Sequence, residues 1–158
     1  MWSPWRAKYI ASGADSQAEG CVFCRIAADL EHDKDNFVLH RAEHAFIVLN
    51  LYPYITGHLM VVPYLHTSEF DSVPKEITDE LMDLAKRSQT ALREVYSPAG
   101  FNLGMNLSAA AGAGITDHMH IHLLPRWSGD TNFMTTVAET RVLPEDLGTT
   151  YSKLRSKF

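Results

Sequence analysis

The sequence predicts an α+β domain: a mostly antiparallel five-stranded sheet with one long helix and short flanking helices. Three observations predict it. Five short apolar or alternating stretches, 37–39, 45–50, 58–63, 101–107 and 117–124, read as strands. The first three are joined by turns at 40–44 and 53–57 that are too short for the crossovers parallel neighbours need. Between the third and fourth strands lies a single long helical excursion, which makes the chain α+β rather than alternating α/β.

Taken in order, residues 1–20 form an irregular amino-terminal extension whose Trp2 and Trp5 fold back onto the body or a partner subunit, and 12–20 is turn-rich. Cys21–Leu30 reads as a short helix. From Val73 to Tyr96 the residues Ile77, Leu81, Leu84, Ala85, Ser88, Leu92 and Val95 recur at three and four, which gives an amphipathic helix. Asp71 or Ser72 is set to cap it, Pro74 to occupy its first turn and Ser97-Pro98 to end it. The segment from Ser108 to Gly114 is a small-residue loop between the last two strands. Residues 136–158 form a carboxy-terminal extension with a closing helix over 144–157, and the whole of 1–158 is one domain.

Bulk properties narrow the class. At 158 residues and 46% hydrophobic, the chain can bury a sizeable core. Its net charge of −5, with Lys and Arg scattered, argues against nucleic acid as a principal partner. No apolar run approaches the roughly 20 residues of a membrane span, and the first residues lack a secretory apolar core. The expected location is the cytoplasm, where the only two cysteines, Cys21 and Cys24, stay reduced.

The chemistry gathers in His118-Met119-His120-Ile121-His122-Leu123-Leu124. Extended chain alternates its side chains between faces, so the three imidazoles share one face and Met119, Ile121 and Leu123 the other. Buried without partners, each would cost about 1–3 kcal/mol, so something polar must face them. A solvated amphipathic strand, a histidine metal site and nucleophilic catalysis by the middle imidazole are the three readings. The Ser108–Gly114 loop favours the last, because small residues let backbone N–H groups approach an anion closely.

These residues resemble the histidine-triad superfamily, nucleotidyl hydrolases and transferases acting at an α-phosphate. The pattern His-φ-His-φ-His-φ-φ (φ apolar) is matched by 118–124, and other segments agree in order: Cys21-Val22-Phe23-Cys24, Asn50, Gly57-His58 and Pro63-Tyr64-Leu65-His66. The flanks look most like the bacterial diadenosine tetraphosphate phosphorylases: Trp2-Ser3-Pro4-Trp5-Arg6, the Asn102/Gly104/Asn106 alternation, Ala111-Gly112-Ala113-Gly114 and Pro125 to Phe133.

The resemblance implies roles residue by residue. His120 is the nucleophile that forms a nucleotidyl-histidine, its other ring nitrogen fixed by a backbone carbonyl, and His122 assists the leaving group. The phosphate is met by the Gly112, Gly114 and Ile115 amides and by the Asn106 side chain. Many members carry Gln or Ser four residues before the first triad histidine, where this chain has Gly114. Asn50 holds the ribose, Val48, Leu49, Met60 and Phe23 line an apolar nucleotide pocket, His58 stands near the phosphate, and Trp127 covers the second nucleotide. Read as ordinary structure, Asn50 is a turn residue, the apolar set is core and Trp127 is a buried side chain.

His32, His40 and His44 carry no motif and read as solvated. Cys21-x-x-Cys24 reads either as a redox pair or as half of a zinc site. In similar members it joins His66 and His118 in a structural Cys2His2 zinc site. No organic cofactor is implied. The expected substrate is AMP-containing, with inorganic phosphate or water as acceptor, and the expected assembly is a homodimer or higher homo-oligomer.

Overall fold

The structure, a computed structural model, describes residues 20–131 and 143–158. The expectations placed on Trp2, Trp5, Asn132, Phe133 and 136–142 lie outside the described residues. Among the described residues the elements run α1 (Val22–Ala28), β1 (Val38–Arg41), β2 (Ala45–Leu49), β3 (Leu59–Pro63), α2 (Lys75–Tyr96), β4 (Gly100–Gly104), β5 (Ile121–Arg126) and α3 (Leu147–Arg155). The five strands form one antiparallel sheet in the order β1-β2-β3-β5-β4.

Two apolar layers explain the sequence pattern. On one face Ile47, Leu49, Leu59, Val61, Ile121 and Leu123 pack with Leu81, Leu84, Ala85 and Leu92 of α2 and with Tyr151 and Leu154 of α3. On the other, Val38, Phe46, Val48, Met60 and Val62 meet Phe23 of α1. Strands β2 and β3 are covered on both sides, hence their unbroken apolar runs.

Several boundaries move, each for a local reason. The long helix begins at Lys75 with Pro74 as its cap and no side-chain capping bond, while Asp71 and Ser72 lie in a 3-10 turn before it. Ser97 closes it in the left-handed region (φ 45°), its N–H on the Arg93 carbonyl. Helix α3 is capped by Asp146, whose carboxylate accepts the Thr149 N–H at 2.9 Å. Strand β5 runs 121–126 rather than 117–124, because β3 pairs with it only over Leu59–Val61 while β4 pairs as far as Arg126. Strand β4 ends at Gly104 instead of residue 107.

The triad-free histidines also divide. His32 is exposed and paired with Asp29, as a solvated residue would be. His40 is not solvated as expected: it stacks on Phe158, and Arg87 lies 2.9 Å from its Nε2.

Candidate active site

His118 and His120 lie just before β5, anchored where the Met119 N–H donates to the Thr67 carbonyl at 2.8 Å, and His122 lies inside the strand. The predicted alternation holds although the ladder starts late. Met119, Ile121 and Leu123 enter the α2-side core, and the three imidazoles share the α1 side, where the Phe23 ring lies 5.4 Å from His118 and 4.9 Å from His120.

Backbone carbonyls only accept hydrogen bonds, so two of the tautomers follow directly. The ring nitrogen of His120 that faces the His118 carbonyl at 3.0 Å is Nδ1, so Nδ1 carries the proton and Nε2 keeps its lone pair. For His118 the nitrogen on the Pro63 carbonyl, at 2.8 Å, is Nε2, so its lone pair sits on Nδ1. Burial lowers the pKa of both imidazoles, which keeps them neutral and the lone pairs available.

His122 is set by a third histidine. His58 is 1% exposed, and its Nδ1 receives the Tyr54 backbone N–H at 3.2 Å and faces the Asn50 amide nitrogen at 3.3 Å. Its Nε2 therefore carries the proton and donates to His122 Nδ1, 2.9 Å away. Burial, then the charge of His122 and His120, holds His58 well below its ordinary pKa; burial and then His120 bring His122 down to about 4. At neutral pH His122 is uncharged with Nε2–H as its free donor. The Tyr54 ring lies 4.7 Å from His58 and 6.1 Å from His122. Sequence reasoning missed the parts played by Tyr54 and Pro63, because both act through backbone groups rather than side chains.

At the other end of the histidine row, Cys21, Cys24, His66 and His118 bring their donor atoms within 4.8 Å of one another. Cys21 Sγ and Cys24 Sγ lie 3.3 and 3.7 Å from His118 Nδ1, Cys24 Sγ lies 3.3 Å from His66 Nδ1, and the two Nδ1 atoms are 3.2 Å apart. Zinc, with bonds of about 2.3 Å to sulfur and 2.0–2.1 Å to nitrogen in a tetrahedron, spaces such donors by about 3.3–3.8 Å. The His118 lone pair, fixed by Pro63, is directed into this cluster. Burial and the adjacent Cys21 raise the Cys24 thiol pKa, a penalty that a bound cation offsets. The donor set fits zinc, and the Nε2 bond to Pro63 supplies the outer support such a ligand needs.

The remaining expected residues come close in part. Val48 and Met60 are buried beside Phe23, with Ile115 packed against them, so the apolar wall exists; Leu49 points into the opposite core. Asn50 is first a turn residue, its Oδ1 accepting the Tyr52 N–H at 2.9 Å. In the small-residue loop the Gly112 N–H donates to the Ala109 carbonyl at 2.9 Å. That bond closes a tight turn with Gly112 at φ 87°. The Asn106 amide spans the loop to the Gly112 carbonyl at 3.4 Å, and Gly114 is exposed. Trp127 is half-buried with its ring edge-on to Tyr96, 6.5 Å away.

Comparison with known proteins fits this geometry. The HIT domain profile matches residues 31–129. The chain belongs to the HIT family. An AP-4-A phosphorylase of Mycobacterium tuberculosis is 35% identical across all of this chain and 83% of its own length. A yeast HIT relative, the adenosine 5'-monophosphoramidase of Saccharomyces cerevisiae, is 27% identical over 67% of this chain and 62% of its own. Among solved HIT structures, a Zn-bound histidine triad family protein from Mycobacterium smegmatis superposes with a TM-score of 0.70 at 28% identity, covering 87% of this chain and 92% of that one. HIT relatives are thus nucleotide-processing proteins, and a Zn-bound neighbour agrees with the cluster at Cys21, Cys24, His66 and His118. No helix among the described residues is long and apolar enough to cross a membrane.

Proposed function

We propose that the chain moves a nucleotidyl group from the α-phosphate of a dinucleoside polyphosphate, diadenosine tetraphosphate foremost, to inorganic phosphate, releasing ADP and ATP. One observation carries this reading: two imidazoles two residues apart are held in opposite tautomers, His120 with a lone pair on Nε2 and His122 with a proton there. The His120 Nε2 lone pair forms a bond to the α-phosphorus as the bond to the bridging oxygen breaks. That oxygen keeps the electron pair, accepts a hydrogen bond from the His122 Nε2–H and leaves as ATP. A phosphate oxygen then attacks the phosphorus, the P–N bond breaks, its pair returns to His120, the proton of the incoming phosphate passes to solvent and ADP departs.

Asn50 turns to the ribose hydroxyls on binding, Phe23, Val48, Met60 and Ile115 hold the nucleoside, and Asn106 and the Gly114 and Ile115 amides face the phosphate. Trp127 borders the second nucleotide. Zinc held by Cys21, Cys24, His66 and His118 is a structural tie between α1 and the triad segment and activates no water. The enzyme works in the cytoplasm and as a homodimer; edge strand β4, with Leu103 49% exposed, is the surface for pairing.

Product analysis with diadenosine tetraphosphate, with and without inorganic phosphate, tests the reading. Phosphate-dependent ADP plus ATP is the expected result. Phosphate-independent AMP makes the enzyme a hydrolase. Turnover of adenosine phosphoramidate alone moves it to the second reading, which the yeast relative favours, and nucleotide binding without any turnover makes it a sensor.

A further inference from the structure

Gly104 stands directly across from His122 in the β4–β5 ladder, on the triad side of the sheet. Glycine weakens a strand interior and is expected there when the backbone conformation, the packing or an approaching molecule demands it. Gly57 illustrates the first two demands: its φ is +77°, and a Cβ there would lie 2.9 Å from Leu92. Gly104 meets neither, because its φ is not in the left-handed region and a Cβ would find no atom within 4 Å. Nothing among the described residues requires position 104 to lack a side chain.

The register says what lies on either side of it. Val48, Met60, His122 and Gly104 form one transverse row across four strands. Val48 and Met60 are 2% and 8% exposed under Phe23, which makes their side the nucleoside side, whereas Gly104 is exposed. His58 occupies His122 Nδ1, so Nε2 is the nitrogen left to meet a departing oxygen. Two positions along β4 on the same face, the Asn102 side chain is drawn aside, its Oδ1 accepting from Arg126 at 2.6 Å.

We propose that Gly104 is a specificity-determining residue: its missing side chain admits the bulky leaving half of the substrate, a polyphosphate chain ending in a second nucleoside, past His122. This rests on the reading of the site as a dinucleoside polyphosphate enzyme. Gly104→Val fills the space with a residue that strands favour. The variant and the wild type are compared for kcat/KM on diadenosine tetraphosphate and on adenosine phosphoramidate, whose leaving group is only ammonia. Each is also placed in a His120→Asn background to measure affinity for diadenosine tetraphosphate against AMP without turnover.

The expected result is a fall of about tenfold or more in both ratios, the size of effect that a few added methyl or methylene groups produce in a fitted site. Unchanged ratios overturn the proposal, whether or not overall activity falls. If both substrates fall together while sedimentation shows altered assembly, Gly104 serves a partner chain's backbone and the proposal is likewise overturned. A wild type that turns over neither substrate defeats the functional reading alone, because the binding ratio still decides the role of Gly104.

Discussion

His118 and His120 are the same residue type on the same face of the same segment, two positions apart, yet they do opposite things. His118 spends Nε2–H on the Pro63 carbonyl and turns its Nδ1 lone pair toward two thiols. His120 places Nδ1–H on the His118 carbonyl and leaves Nε2 open toward the substrate space. In the roles proposed above, what separates a metal ligand from a nucleophile is which ring nitrogen finds a carbonyl. The two ends are nonetheless joined, because the residue that binds the cluster also holds the nucleophile, and Phe23, between the two cysteines, packs on both rings.

The sharpest way to break the comparison is at His120. His120→Asn keeps a polar group of similar reach but removes the nucleophile, and turnover of diadenosine tetraphosphate should fall by at least about 10⁴-fold, the scale seen when a covalent nucleophile is lost. AMP affinity by calorimetry should stay within a few-fold. Retained turnover would remove His120 from the mechanism.

Cys24→Ser strikes the other end. Zinc content measured by elemental analysis should drop, and the melting temperature should fall by about 5–10 °C, as a loss of about 2–3 kcal/mol does in a chain of this size. Activity per folded molecule should suffer far less than in His120→Asn. A wild-type protein isolated without metal, and with unaltered melting, would contradict the zinc assignment.

The smallest effect is on pH. His122 titrates near 4 in the folded chain and near its ordinary 6.5 when unfolded, and burial holds His58 well below its ordinary value as well. Between those values the unfolded chain binds protons that the native one refuses. Stability therefore rises with pH from about 4 to 6.5 and is level above, as far as these two groups are concerned. Denaturant midpoints at pH 5 and pH 7 check this, and replacing His122 with Asn should flatten the slope.

Much of this was legible in the sequence because it is written in local periods. Alternation placed the histidines together although the ladder begins three residues after His118, and the spacing from Ile77 to Val95 located α2 to within two residues of its start. The pair Cys21-x-x-Cys24 with His66 and His118 was readable as a set only through family resemblance. The His58–His122 bond was not legible at all: it depends on the register that sets Met60 against His122, which no neighbouring residue encodes. The turn at Ala109–Ala111, on which the Gly112 N–H closes, was not legible either, because a small-residue loop has no periodicity that marks it.

The strand order carries a further consequence, for the chain as it is made. β5 sits between β3 and β4 but is synthesised last, so β3, five buried residues Leu59–Pro63, has one raw edge until residue 121 exists. Helix α2 can cover its face during that interval but cannot satisfy its unpaired backbone groups, and an apolar strand edge invites other chains. The strand that follows His118 and His120 and holds His122 is also the one that seals this edge. A nascent chain of this protein therefore loses its raw β3 edge only when the histidine row itself is made.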